Sequence, residues 1–473
     1  MSTLTITRRS RPANWRIAVT AVILLGSILA GSTAFGQGVR VGRTEDVSAG
    51  GWARFTSVAW DPVNRAYLFV WGAFGSVNGR FVSGDGVALG PGPFRVNLPT
   101  EYANTPAVVY DADHGVFMVV WQDNRVNSQI PVLFGRALSY QPSGEPAFRA
   151  GDFQVSEFCN STSQPAIAYS TGSDEFFALY QGGANDIRGV RFTVDGAALG
   201  GAVPITSSTD YESRPSVAYN PSADEFYVVY PRWVDSVNQG DVRGQRVKAG
   251  TGALVGGPFD VDPLAPGENG PTAVSYDPNN NRYLVAWYRF ISGVGWATLG
   301  RLVAPDNLSA PPRFTIANTG TYVSLGLDRN PSTGTFFTAF AHHDILEIYG
   351  AEVAAAGWST GMVRVTDTTD TARFPLPHIG VDYARVAAAS DRPEFMVSGV
   401  RLNFPVISQR MQSGGSAPSF SKLSPVNGAT TQPSSLTLTW EPLAGGTYTY
   451  AVCVDTTNNN ACDTTWQSAG LAT

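Results

Sequence analysis

The 473 residues are 43% hydrophobic and only 15% charged, with 50 Gly, 31 Pro, 11 Trp, 18 Tyr and 25 Phe. This balance argues for many short strands joined by tight turns, and against amphipathic helices or a disordered chain. The formal charge of −6 argues against nucleic acid or an anionic membrane surface as a partner.

Residues 1–36 read as a secretory signal. Arg8, Arg9, Arg11 and Arg16 form a basic start, Ile17–Ala30 is an apolar run, and the residues after it are small, with cleavage expected after Ala34 or Gly36. The run spans 14 residues, too few to cross a bilayer comfortably. The mature chain is therefore expected to lack a transmembrane segment and to be secreted or displayed at the cell surface. Loss of the four arginines would take the formal charge from −6 to −10.

Residues 39–48, VRVGRTEDVS, match a fourth strand with no first three before it. One pattern then recurs seven times. Its second apolar run ends at Trp71, Trp121, Tyr180, Tyr230, Trp287, Phe340 and, in a degraded copy, Gly399, at spacings of 50 to 59 residues. Each copy predicts four strands. The first is small and apolar, as in Ser216–Tyr219, and ends on Asp61-Pro62, Asn220-Pro221 or Asp277-Pro278, a pair suited to a type I turn. These aspartates read as turn residues rather than metal ligands, and no metal or cofactor is expected. The second strand, as in Tyr67–Trp71 or Phe117–Trp121, lacks polar alternation and should be buried on both faces, its last aromatic wedged between repeats.

The third strand carries a glycine and an arginine: Asn78–Val82, Phe134–Leu138, Ile187–Phe192, Val242–Val247, Leu299–Val303. Glycine inside a strand marks close approach, and the arginine reads as pairing locally or facing water. A Gly-rich hairpin such as Asp195–Gly201 leads to the fourth strand. The last copy supplies no clear fourth strand, so the N-terminal segment should complete it. The prediction is all-β: a seven-bladed β-propeller over residues 37–415, closed by its N-terminal strand, which removes open sheet edges.

These repeats resemble the propeller-like repeats of large secreted bacterial proteins, a likeness carried by Asp277, Pro278, Tyr283–Trp287, Asp186, Ile187, Gly189 and Arg191. The resemblance implies a fold and an extracellular setting and no activity. After a linker at 416–423, residues 424–473 resemble the opening of a fibronectin type III domain, through Pro425, Leu436, Leu438, Trp440 and Tyr448–Asp455. About 50 residues stand against the roughly 100 of a complete sandwich, so this module reads as truncated. Cys453 and Cys462 are close enough in sequence for a disulfide worth about 2.5 kcal/mol by loop entropy, with three unpaired thiols as the alternative; Cys159 has no obvious mate.

Ligands of a propeller usually meet the face made by loops leaving second strands and entering first strands. That face should collect Arg54, Asp123, Arg125, Asp210, Glu212, Arg214, Trp233, Asp235, Glu268, Tyr288, Arg289, His342, His343 and Arg373. Asp210, Glu212 and Asp123 are candidates for an acid and base pair in glycoside cleavage. Arg214, Trp233, Tyr288 and Arg289 are candidates for binding, and Arg54, Arg214 and Arg373 for clamping an anionic group. No nucleophile elbow, phosphate loop, dinucleotide fingerprint or zinc-protease motif is present. The reading is a binding or adhesion protein directed at extracellular polysaccharide or a surface protein. The alternatives are an extracellular glycoside hydrolase or lyase working at the channel, and a structural spacer in a larger surface protein. Carboxylates around the channel would favour the enzyme, and an aromatic face would favour binding.

Overall fold

The computed structural model describes residues 38–414 apart from short stretches, the longest at 367–380, and the strands Ser2–Thr7, Lys422–Ser424, Ser435–Trp440, Tyr448–Val452 and Gln467–Ala472. Two compact units are present, Gln37–Gly414 and a second formed by Met1–Gly36 with Gly415–Thr473.

In the larger unit each repeat folds into one antiparallel sheet, and seven sheets follow in chain order as the blades of the expected propeller. Their first strands are Arg54–Asp61, Ala103–Asp111, Ala166–Ser170, Ser216–Asn220, Asn269–Asp277, Tyr322–Arg329 and Val381–Ala388. Blade 4 continues with Glu225–Val234, Gln239–Lys248 and Leu254–Pro266, and blade 5 with Arg282–Ile291, Gly295–Val303 and Phe314–Asn318. Every residue of the second strand Val116–Asp123 is buried. Trp121 packs with Leu68, Val70 and Phe81 of the blade before it, and Trp287 with Tyr227 and Val229. Apolar runs without alternation thus form strands covered on both faces by neighbouring blades.

The turn residues behave as their chemistry dictates. Asp61 accepts the Val63 and Asn64 amides at 2.9 and 3.1 Å, and Asn220 those of Ser222 and Ala223 at 2.9 and 3.2 Å. The third-strand glycines lie under aromatic rings. A Cβ on Gly79, Gly135 or Gly300 would meet Phe94, Phe153 or Phe314 of the fourth strand within 2.9 Å, and one on Gly189 would meet Phe177 of the second at 2.2 Å. The arginines reach further than local pairing or water. Arg80, Arg136 and Arg301 donate to the carbonyls of Val47, Val96 and Val261 at 3.2, 2.7 and 2.7 Å, each on or just after the outer strand of the preceding blade. Arg191 instead pairs with Glu175 of its own blade at 2.8 Å and donates to Gly250 of the next.

The ring closes as expected. Val39–Asp46 pairs antiparallel with Val406–Gln412, Val39 opposite Gln412 and Asp46 opposite Ile407, completing blade 7. A buried Thr44 hydroxyl donates to Gln409 Oε1 at 2.7 Å, and Gln409 Nε2 to the Val41 carbonyl at 3.1 Å.

In the smaller unit Ser435–Trp440 pairs with Ser2–Thr7 and Lys422–Ser424, and Tyr448–Val452 with Gln467–Ala472. Cys453 and Cys462, and with them the expected bridge, lie outside the described residues. Among the described residues no helix is long and apolar enough to cross a membrane.

Candidate functional site

Blade 4 departs from its neighbours just before its first strand. Tyr211–Glu212 pairs with the end of the long second strand, Tyr211 opposite Trp233 and Glu212 opposite Arg232. Strand alternation separates the two: Tyr211 is 41% exposed, Glu212 only 1%. Arg214 then adopts a left-handed backbone, φ 44°, as Phe55 and Thr105 do at the matching position of blades 1 and 2, with φ 49° each. This bend turns the chain from the blade face into the channel.

Between blades 4 and 5 it leaves a cavity of about 370 Å³ walled by Tyr211, Arg214, Trp233, Asn269 and Gly270, with Arg232. Arg232 is locked: its Nε and Nη2 donate to Asp241 at 3.1 and 2.6 Å and its Nη1 to Asp210 at 3.0 Å. Asn269 is the opposite case, since both its amide nitrogen and its amide oxygen are buried without a hydrogen-bond partner among the described residues. Gly270 leaves room for the Tyr288 ring, which a Cβ would meet at 2.1 Å. Tyr288 in turn stacks on Trp296, centroids 4.4 Å apart and planes 10° apart.

The central channel is a second cavity, of about 210 Å³, lined by the first strands of all seven blades. Small side chains recur there, from Ser57, Ala107, Ala166, Ser216 and Ala273. Arg214 lines both cavities.

Of the residues singled out by sequence, Arg214 and Trp233 come together at the blade 4–5 cavity. Tyr288 stands buried behind its wall. Arg289 is 3% exposed and paired with Asp262, which also accepts from Trp287 Nε1 at 3.1 Å and from Arg313; it joins two blades and is not among the described residues lining either cavity. Asp123 is fully buried, accepting from Trp121 Nε1 at 3.1 Å and from Arg125 at 2.6 Å, while Arg125 also pairs with Asp152 at 2.9 Å. Asp210 is tied to Arg232. Glu212 accepts the hydroxyls of Ser208 and Thr206 at 2.6 and 3.2 Å, and burial holds its carboxyl above the usual carboxylate range. None of these three carboxylates lines either cavity. Arg54 and Asp235 are exposed. Glu268, His343, Arg373 and the His342 side chain lie outside the described residues.

Tyr211 and Asn269 were not among the sequence candidates. A signal for Tyr211 exists: the acid-Tyr pair of Glu101-Tyr102 recurs as Asp210-Tyr211, four residues before the proline in each copy. On another part of the ring, Asp111, His114 and Asp174 bring ligand-type atoms within 4.8 Å of one another. Turn chemistry accounts for it. His114 Nδ1 contacts Asp111 at 2.8 Å where, in the same turn of other blades, Asn64 donates to Asp61 at 2.7 Å and Asn280 to Asp277 at 2.6 Å.

No protein-family model matches the chain, and no curated protein matches it by sequence. Solved structures do match by fold. A lectin from Burkholderia pseudomallei aligns at 13% identity and a TM-score of 0.57, covering 77% of this chain and 97% of the lectin. An α-L-arabinofuranosidase of Fusarium graminearum aligns at 11% identity and 0.44, covering 66% and 93%. A polysaccharide lyase, an ulvanlyase, aligns at 11% and 0.48, covering 79% and 96%. At these identities the likeness is one of fold, a seven-bladed propeller.

Proposed function

We propose that this is an extracellular carbohydrate-binding protein, and that the cavity between blades 4 and 5 is its binding site. The observation that carries the reading is Asn269. Its donor and acceptor are buried without partners among the described residues, an arrangement that costs about 1–3 kcal/mol, and a vicinal diol, met by a turn of the side chain toward the cavity, presents the matching acceptor and donor. Beside it stand Trp233 and the exposed Tyr211, the amphipathic aromatic walls that take the apolar face of a sugar ring. Arg214 adds a donor at the rim. With no described carboxylate lining either cavity, binding is favoured over acid and base catalysis. In this reading the propeller is secreted, its N-terminal 36 residues serve as a signal, and residues 424–473 open a fibronectin-like spacer carrying a Cys453–Cys462 bridge.

The test is a glycan array probed with the full chain, followed by calorimetry on the best ligand. Asn269→Ala and Trp233→Ala should each weaken binding by at least about tenfold, the loss of one well-made polar or aromatic contact. Unchanged binding in both variants would overturn the site. Release of new reducing ends, lost in Glu212→Gln or Asp210→Asn, would replace binding with the hydrolase or lyase alternative.

A further inference from the structure

The channel differs from the rest of this acidic chain in its charge. Among the described residues that line it, two are ionic, Arg214 and Arg385, and neither is acidic. The chain as a whole carries a formal charge of −6, so a channel whose described lining charges are both positive runs against the sign of the protein's overall field. The two arginines belong to blades 4 and 7. Three steps apart in a ring of seven, they address the channel from nearly opposite sides. Arg385 donates from Nη1 to the Leu325 carbonyl of blade 6 at 3.2 Å. The Arg214 guanidinium has no hydrogen bond or ion pair among the described residues, its Cα is held at φ 44°, and it borders the channel and the blade 4–5 cavity at once.

We infer that the ligand of this face is an acidic saccharide, with a carboxylate or sulfate group held at the channel mouth by Arg214 and Arg385 and the adjoining sugar ring seated against Trp233 and Tyr211. The inference rests on the carbohydrate-binding reading and adds charge and orientation to it. A guanidinium offers two parallel N–H donors to a carboxylate or sulfate, a charge-assisted pairing roughly twice as strong as a neutral hydrogen bond. The amide of Asn269, lying in the neighbouring cavity, then takes ring hydroxyls rather than the anionic group. Since Arg214 is the residue common to both cavities, it decides whether a bound ring is followed by charge.

The experiment compares oligosaccharides matched in length: a uronic acid oligomer, its carboxyl-reduced neutral counterpart, and that neutral oligomer carrying sulfate esters. Each is titrated calorimetrically into the full chain and into Arg214→Gln, Arg385→Gln and Asn269→Ala variants, with circular dichroism as the check on folding. At least one acidic form should bind about tenfold or more tightly than the neutral one; the uronate and sulfate arms separate the two sources of negative charge. Arg214→Gln should abolish that preference by weakening the acidic ligand about tenfold or more beyond any loss for the neutral one, and Asn269→Ala should weaken acidic and neutral ligands alike. Arg385 has a structural bond to Leu325, so Arg214→Gln is the deciding variant. Equal binding of acidic and neutral forms, or a preference that survives Arg214→Gln, overturns the inference and leaves carbohydrate binding intact. Absence of binding to all three forms by folded protein overturns both.

Discussion

Replacing Asp262 with Asn would test whether one buried carboxylate holds blade 5 against blade 4 behind the candidate site. Asp262 is fully buried on the outer strand of blade 4, where it accepts from Trp287 Nε1, Arg289 and Arg313. Asparagine keeps the shape and one acceptor oxygen but removes the charge. Arg289, 3% exposed, would then keep a weak contact to the Pro266 carbonyl at 3.4 Å and no buried counter-ion among the described residues. Breaking a buried pair by removing one partner costs about 3–5 kcal/mol, and the oxygen retained by Asn argues for about 3. Arg313 is 46% exposed and rehydrates, adding little. Over the unit Gln37–Gly414, an unfolding entropy of about 2.1 cal/mol/K per residue gives about 0.8 kcal/mol/K, so the midpoint should fall by about 4 °C. Differential scanning calorimetry at pH 7 measures this directly. The double variant Asp262→Asn/Arg289→Met, which removes the orphaned charge, should recover about half of the loss. A single variant within about 1 °C of wild type, or a double variant less stable than the single, would refute the reasoning.

Three further outcomes are expected. Gly189→Ala, whose Cβ would sit 2.2 Å from the Phe177 ring, should cost about 1–3 kcal/mol by overpacking, whereas Gly92→Ala, with nothing within 4 Å, should be nearly neutral; urea titration compares them. Desolvation pushes the Asp328 carboxyl up to about 6 although it accepts the Ala388 and Arg329 amides. Its folded value lies above its unfolded one, so its stabilisation is complete below about pH 4 and is lost as pH rises through about 6. Asp328→Asn should flatten that part of the stability profile, measured by denaturant midpoints at several pH values, and an unchanged profile would remove Asp328 from the account. Cys159 is 2% exposed and burial pushes its thiol up to about 12; alkylation at pH 8, followed by peptide mapping, should be about a thousandfold or more slower in native than in unfolded protein, because the thiolate is the reactive form.

The fold was legible because each blade repeats the same local requirements. Asp or Asn before a turn, an unbroken apolar second strand and a third-strand glycine each reflect contacts within one blade or with its immediate neighbour. The missing fourth strand of the last copy announced the closure. The site was less legible, because its chemistry depends on what a side chain meets across blades. Arg125 and Arg289 look like exposed loop charges, yet their partners lie 27 residues away in each case, Asp152 just before the outer strand Phe153–Phe158 and Asp262 on the outer strand of blade 4. Arg80, Arg136 and Arg301 look solvent-facing and bond the preceding blade. Asn269 carries no pattern at all: an asparagine near a glycine and a proline reads as a loop until its amide is found buried.

The closure joins the first-made and last-made strands of the propeller. Val39 meets Gln412, so blade 7 remains one strand short while the chain emerges from the ribosome, and a contact of this sequence separation forms slowly. Timing therefore follows from topology: the propeller can latch only after its whole length is available. Until then it is a growing arc with exposed edges at both ends, which the finished ring no longer presents.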